Sequence, residues 1–387
     1  MKKLRVGLVG FGFIGPHHLD AIRRTGLGEV TAIATSNPSS ARAKAEQFGV
    51  AKSTSDWRVL VADPEIDVID IATPTNLHAL VALAALAAGK HVIVDKPLSL
   101  TSTEAASMLA AAQRAGVVHA VTFNIRYNVM LQHARALVTR GEIGDVRFVR
   151  GHYLQEWLLK DTDFNWRLQP NQAGALAMVA DCGAHWYDIA QHITGQRITR
   201  VLADLSSFIP IRRRPAGGSR AAHAAGNKSR TTAYRVQVPD LGLILCEFEN
   251  GARGQFATSA LCSGHKNDLT IEVAGARASV RWEQERPDEL WLGHRDQPNQ
   301  LLRKDPPLLD PTVRHYAALP GGHAEAWPDA FRNLMRNILG FIAAGRDPRE
   351  ADEIAFPTFA TGLSIARIVD AIAASAKAGG RWKSVTT

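Results

Sequence analysis

Gly10-Phe11-Gly12-Phe13-Ile14-Gly15 directly follows the apolar run Leu4–Val9 and leads into a segment that reads as a helix over 16–25, with Pro16 at its start. In a strand–turn–helix setting the first glycine permits the tight turn and the second lets backbone approach a pyrophosphate. The third allows close helix–strand packing, while the helix N-terminus turns N–H groups and its positive dipole end toward the phosphates. The glycine pattern alone has many chance matches. Its place right after a strand and before a helix makes dinucleotide binding the reading. Gly10, Phe11, Gly12, Phe13, Ile14 and Gly15 are therefore the first candidate cofactor residues.

Working outward, the first third alternates strand and helix. Strands are expected at Leu4–Val9, 30–34, Val68–Ile71 and His91–Val94, with helices at 16–25, 41–48 and 79–88 between them. Strands separated by helices at this pace imply βαβ units and a doubly wound parallel sheet, a Rossmann arrangement. After about residue 125 strand-like runs follow one another closely, at 146–153, 231–238, 243–249, 253–261, 269–273 and Ala278–Glu283. Asn250-Gly251 between two of them is a hairpin signal. Helices over 329–344 and 359–378 close the chain. The α/β fold class thus splits into a dinucleotide-binding domain, 1–124, and a domain with a mostly antiparallel sheet, 125–387.

A chain of 387 residues suits two domains. Its longest uninterrupted apolar run is ten residues, 79–88, against about 18 needed to span a bilayer, so no membrane partner is expected. Lys2, Lys3 and Arg5 precede an apolar stretch, but glycines break it and no small-residue cleavage site follows. Cys182, Cys246 and Cys262 are too few and too scattered for a disulfide framework or a cysteine-rich zinc site. A cytoplasmic protein without metal is the expectation. Net charge is +8, but Arg212, Arg213, Arg214, Arg220, Lys228 and Arg230 crowd into 211–230 with no acid among them. That stretch, rich in Gly, Ala and Ser, reads as a mobile surface loop. It lacks the interleaved aromatics of a single-strand binder, so nucleic acid is not an expected partner.

Three positions carry candidate chemistry. After the second strand, where an acid would hold the ribose 2′-OH of NAD, the chain has Thr35-Ser36-Asn37-Pro38, with Arg42 in the next helix. Thr35, Ser36 and Arg42 would suit a 2′-phosphate, which leans the choice between NAD and NADP toward NADP. Asp95-Lys96-Pro97 ends a strand at the edge of the ligand crevice, where Lys96 can stabilise a developing alkoxide. Asp181 and His185 stand four apart, on one face if helical. His185 titrates near neutrality and can take a hydroxyl proton, Asp181 can hold a substrate hydroxyl, and Asp188 continues the face as an orienting group. Cys182 reads as a small buried packing residue.

These residues resemble the glucose–fructose oxidoreductase / inositol dehydrogenase / MocA family. The resemblance rests on Gly10–Gly15, on Thr73-Pro74 with His78, and on Ala88-Gly89-Lys90-His91-Val92 running into Asp95-Lys96-Pro97. The Asp181…His185…Asp188 pattern and the ending Ser375…Trp382 also fit. It covers nearly the whole chain. It implies a Rossmann domain plus a C-terminal α/β domain with a large open, mainly antiparallel sheet that commonly serves in oligomerisation, hence a homodimer or homotetramer. It also implies catalytic positions for Lys96, Asp181 and His185, and a cofactor lining of Thr73, Pro74, His78, Asp95 and Lys96. Asp95 departs from the family's usual glutamate there, which shortens a contact expected near the nicotinamide ribose.

A narrower likeness, to the levoglucosan dehydrogenases and related glycoside-oxidising members, rests on Thr54-Ser55-Asp56-Trp57-Arg58 and Tyr153-Leu154-Gln155-Glu156-Trp157. Trp166-Arg167, His265-Lys266-Asn267 and the stretch from Arg281 to Leu290 extend it. Trp157 or Trp166 can stack on a pyranose face while Gln155, Arg167, His265, Asn267 and His323 hydrogen-bond hydroxyls. The expected activity is NAD(P)-dependent oxidation of a secondary hydroxyl of a sugar, glycoside or cyclitol to its ketone. Redox-assisted glycoside cleavage with a recycled cofactor, or a non-catalytic dinucleotide/sugar sensor, are the alternatives.

Overall fold

The computed structural model describes residues 2–215 and 230–386. They form two compact units, Met1–Asn124 with Pro328–Ala366, and Ile125–Trp327 with Arg367–Thr387. The sequence reading assigned everything beyond residue 124 to one C-terminal domain, whereas 328–366 packs with the N-terminal unit. The cause is direct packing: Leu339 sits so close to Gly28 that a Cβ there would stand 3.1 Å from it, and Arg24 pairs with Asp329 at 2.5 Å.

In the first unit β1 (Leu4–Val9), β2 (Gly28–Ala34), β3 (Lys52–Thr54), β4 (Val68–Ile71), β5 (His91–Val94) and β6 (His119–Val121) alternate with helices. These are α1 (Gly15–Thr25), α2 (Pro38–Phe48), α3 (Trp57–Ala62), α4 (His78–Ala87) and α5 (Ser102–Ala115). The strands form a parallel sheet in the order β3-β2-β1-β4-β5-β6. Strand order reverses between β1 and β4, the point where open α/β sheets bind ligands at their carboxyl ends. Because both faces are covered, β4 is buried at every residue, Asp70 included, which is why its other three positions are Val or Ile.

The second unit begins with α6 (Val129–Thr139) and β7 (Val146–Leu154), then α7 (Pro170–Ala173), α8 (Met178–Asp181) and α9 (Gly183–Thr194). There follow β8 (Ile198–Ser206), β9 (Ile211–Pro215), β10 (Thr231–Arg235), β11 (Leu241–Phe248), β12 (Arg253–Ser259), β13 (Asp268–Gly275), β14 (Ala278–Glu283), β15 (Glu289–His294) and β16 (Gln300–Arg303). The chain closes with α10 (Trp327–Ala343), α11 (Phe359–Lys377) and β17 (Lys383–Ser384). Among the described residues, nine strands form one mixed sheet in the order β16-β15-β14-β13-β7-β12-β11-β8-β17. Every pair is antiparallel except β7 with β12.

Two sequence expectations change here. The β11–β12 turn has Gly251 at φ +86°, but Asn250 does not share a positive φ. Instead the Asn250 side chain accepts the Ala252 N–H at 3.0 Å and donates to the Val146 carbonyl. The basic stretch read as a loop is, over Ile211–Pro215, strand β9 paired with β10. Arg212 is fully buried, because Asp240 supplies its counter-charge at 3.2 Å. Arg220 and Lys228 lie outside the described residues.

Among the described residues one helix, α11, is long and apolar enough to cross a membrane by length and composition. It carries Arg367 and Asp370, and it buries Phe359, Ile365, Ile368 and Ile372 in the protein.

Gly151 in mid-β7 is a packing requirement. A Cβ there would lie 2.0 Å from the Thr270 carbonyl oxygen and 2.4 Å from Trp186 Nε1. The buried Trp186 indole, stacked on Phe256 at 4.8 Å, fills the space where that side chain would be. Gly151→Ala is expected to cost about 3 kcal/mol through overpacking. Urea unfolding checks it, and a variant within about 0.5 kcal/mol of wild type would contradict it.

Candidate active site

In the first unit the glycine turn makes a cradle. Gly10 has φ +93°, and a Cβ there would stand 2.5 Å from the Ala72 carbonyl oxygen and 2.7 Å from Thr73 N, so β1 and β4 close up only over glycine. At Gly12 an added Cβ meets nothing within 4 Å, and at Gly15 it would press on the Gly10 carbonyl. Helix α1 has no side-chain N-cap and no acid in its first turn, which leaves its N-terminal donors for a ligand. Among the described residues the buried Thr73 hydroxyl has no hydrogen-bond partner. These features fit a pyrophosphate. Phe11 is buried edge-on to Phe48, whereas Phe13 is exposed. Ile14 is the α1 N-cap residue.

The segment after β2 is set by its own hydrogen bonds. Asn37 caps α2 through Ser40 N at 2.8 Å, and the Thr35 hydroxyl donates to the Asn37 carbonyl at 3.0 Å. Ser36 and Arg42 are exposed. Lys44, which the sequence reading passed over, donates to the Phe11 carbonyl in the glycine turn. Pro74 precedes a short 3-10 turn at the end of β4. His78 is buried, its ring nitrogens 2.9 Å from the carbonyl oxygens of Thr73 and Pro97. Burial lowers its pKa. It thus braces the two strand ends that carry Thr73 and Lys96.

Lys96 follows β5 and is half-buried, with a cis Lys96–Pro97 bond. Its neighbour Asp95 accepts the Thr122 hydroxyl at 2.7 Å. Behind Asp95 stands a group that sequence reasoning missed. His18, fully buried in α1, places Nδ1 2.9 and 3.0 Å from the two oxygens of Asp70, also fully buried. Its Nε2 faces Asp95 Oδ1 at 3.7 Å. Burial alone would lower the His18 pKa, but the charge and hydrogen bond of Asp70, with help from Asp95, push it up to about 10. Burial raises the Asp95 carboxyl. His18, Lys96 and Thr122 more than offset this and hold it well below the ordinary carboxylate range.

The second unit gathers most of the remaining candidates. Asp181 ends α8 and His185 lies in the first turn of α9, with Cys182 joining them in helical backbone conformation. Ala177, just before α8, holds φ +42°, a strained value for a residue with a side chain. Asp181 takes Arg167 Nε at 2.9 Å, and the Arg167 guanidinium lies 4.6 Å from the Trp166 ring and 5.8 Å from the Trp157 ring. Gln155 accepts the Trp157 indole N–H at 2.9 Å and contacts Cys182 Sγ at 3.4 Å. Its amide nitrogen reaches Asn267 at 3.3 Å. Asn267 also accepts the hydroxyl of Tyr153, whose ring lies 6.3 Å from that of His185. Burial raises the Tyr153 pKa, so its phenol stays protonated. Tyr153 is a site residue the sequence reading quoted but did not select. Its place in the alternating pattern of β7 was the available signal.

Three candidates sit differently from expectation. Both oxygens of Asp188 accept from Arg126, a pairing the sequence reading did not foresee. His265 pairs with Asp268 at 2.6 Å, on the same oxygen that His152 approaches at 2.9 Å. His323 lies on an exposed turn, where its carbonyl accepts the buried Lys304 and its ring faces the Gly321 carbonyl.

A carboxylate–guanidinium pair beside aromatic rings, amides and a buried histidine is suited to gripping a polyhydroxylated ring and moving a proton. Comparison with known proteins identifies the family. Residues 4–123 match the family model described as "Oxidoreductase family, NAD-binding Rossmann fold", and 131–281 match "GFO/IDH/MocA C-terminal domain". The chain is 34% identical to levoglucosan dehydrogenase of Pseudarthrobacter phenanthrenivorans over 391 aligned residues, 97% of each chain. It is 26% identical to scyllo-inositol 2-dehydrogenase (NAD(+)) of Bacillus subtilis, over 72% of this chain and 73% of that one. The solved structure of a levoglucosan dehydrogenase in complex with NADH and levoglucosan superposes with a TM-score of 0.88, at 31% identity, covering 100% of both chains. With the glycine cradle at a Rossmann switch point and both family models matched, the chain belongs to the GFO/IDH/MocA family of oxidoreductases, with an NAD-binding Rossmann domain.

Proposed function

We propose that the chain is a dehydrogenase that oxidises a secondary hydroxyl of a sugar, glycoside or cyclitol to the ketone. The observation that carries this reading is the joined set Asp181, Arg167, Trp157, Gln155 and Asn267, linked through Tyr153 to the ring of His185, a chemistry of flat aromatic faces and paired polar groups. The nicotinamide, when bound, supplies the hydride acceptor. The substrate carbon loses hydride and its hydroxyl loses a proton. His185 accepts that proton, Lys96 steadies the oxygen as it becomes negative, and Asp181 fixes the hydroxyl groups. Asp95, kept ionised, balances the positive charge of Lys96.

The test is nicotinamide reduction followed by absorbance, with NAD and NADP separately, against anhydrosugars, glycosides, free hexoses and inositols. Reduction with one polyol class supports the reading. Tight cofactor binding with no reduced nicotinamide on any compound would overturn it.

The cofactor proposal extends to NADP, with a lean toward it. Residues 35–38 carry no acid, and the exposed Ser36 and Arg42 offer a hydroxyl and a cation to a 2′-phosphate. Arg42→Ala is expected to lower kcat/KM for NADP about tenfold while leaving NAD within about twofold, the size of one charge-assisted hydrogen bond. Equal losses with both cofactors would argue against that role.

A further inference from the structure

We infer that the β9–β10 hairpin is a positioning clamp for the sugar site, setting substrate specificity by holding the loop that carries Trp157, Trp166 and Arg167. The inference rests on the dehydrogenase reading above.

The loop over 158–165 has turns but neither strand nor helix, so its backbone carbonyls must find partners elsewhere. They find them on the hairpin. Arg212 Nη1 donates to the carbonyls of Leu158 and Lys160 at 2.8 Å and approaches that of Asp163 at 3.3 Å. Its Nη2 faces Asp240 Oδ1, and the other oxygen of Asp240 is pinned by the N–H groups of Phe208 and Ile209. Next along β9, Arg213 N donates to the Asp161 carbonyl at 2.8 Å. On β10 the Tyr234 hydroxyl donates to the Leu168 carbonyl at 3.2 Å, and its ring meets Phe164 edge-on at 5.1 Å. Arg214 lies over both rings, at 5.8 and 6.0 Å.

Both ends of the clamped loop lead into the candidate site. Trp157 reaches Gln155 at one end, and Arg167 reaches Asp181 at the other. A guanidinium spends its several fixed donors on three carbonyls and a carboxylate at once, which a lysine ammonium cannot match. The buried arginine in a stretch that read as solvated thus has a purpose: the hairpin fixes where the aromatic faces and the Arg167 fork stand.

Arg212→Lys, which keeps the charge opposite Asp240, and Tyr234→Phe, which removes one donor, test this. The substrate is the panel sugar that wild type turns over fastest. Each variant is expected to raise KM for that sugar about tenfold with kcat within about threefold, the pattern of lost uniform binding. Cofactor Kd should not move, and amide hydrogens over 158–168 should exchange about tenfold faster than in wild type. If Arg212→Lys does not fold, Tyr234→Phe decides alone. Faster exchange with an unmoved KM would make the hairpin a structural support only and overturn the inference, as would a fall in kcat at constant KM. A wild type inactive on the whole panel would overturn the sugar reading and this inference together, an outcome distinct from an active wild type with indifferent variants.

Discussion

On the proposed dehydrogenase mechanism, Lys96→Ala and His185→Ala are each expected to slow hydride transfer by at least about 100-fold, the usual loss when a general acid–base or alkoxide-stabilising group is removed. The two fail for different reasons. Without His185 the departing proton has no acceptor at the reacting hydroxyl. Without Lys96 the developing negative oxygen loses its cation, and Asp95, held ionised by His18 and Thr122, is left as unbalanced negative charge beside it. Single-turnover rates with substrate deuterated at the reacting carbon separate chemistry from release. An isotope effect that grows in both variants shows that the chemical step has become limiting. Cofactor affinity should stay near wild type in His185→Ala. Near-normal turnover in both variants would remove these residues from the mechanism.

The second large effect concerns stability. His18→Ala is expected to cost about 3–5 kcal/mol, because it strips the counter-charge from a fully buried Asp70. Its pH signature follows from the raised histidine. The folded-state pKa of about 10 exceeds the ordinary 6.5. Its contribution is therefore complete below about pH 6.5 and is lost as pH rises through about 10. A His18→Gln/Asp70→Asn double variant keeps the shapes but not the titration. Urea unfolding of wild type and double variant from pH 6 to pH 10 should show wild type losing its advantage as pH climbs. A difference independent of pH would mean that His18 is not the charged partner.

How much of this was legible in the sequence depends on the range over which each contact forms. Local signals worked. The glycine turn lies within six residues, and β4 and β5 announce themselves because strands covered on both faces are built mainly of Val and Ile, Asp70 and His91 apart. Helix α5 was overlooked although its signal is local: Thr101 caps Glu104 N at 3.2 Å, and Glu104 reaches back to Leu100 N. The quoted Gln155, Trp157, Trp166, Arg167 and Asn267 come together in one cluster. His265 and His323, chosen on residue type, do not join them because Asp268 and the Lys304 turn hold them. His18 and Arg212 were misjudged for one reason. Their partners Asp70 and Asp240 lie 52 and 28 residues away, and neither pairing leaves a periodic trace. A sequence shows a charge but not the buried carboxylate that neutralises it.

The single parallel pairing in the larger sheet bears on how the chain is made. Strand β7 sits near the middle of that sheet, yet its neighbours are β12 and β13, and contacts such as Thr258 with Tyr153 close over 105 residues. During synthesis β7 emerges first and must wait for both partners with its two edges bare. Late closure of long loops makes folding slow and leaves strand edges exposed meanwhile. Arg147, Arg150 and His152 within β7 place charge and polarity along the waiting strand, the usual guard against premature pairing with another chain. Nascent chains halted before residue 253 should accordingly recruit chaperones, and those extended past 275 should release them.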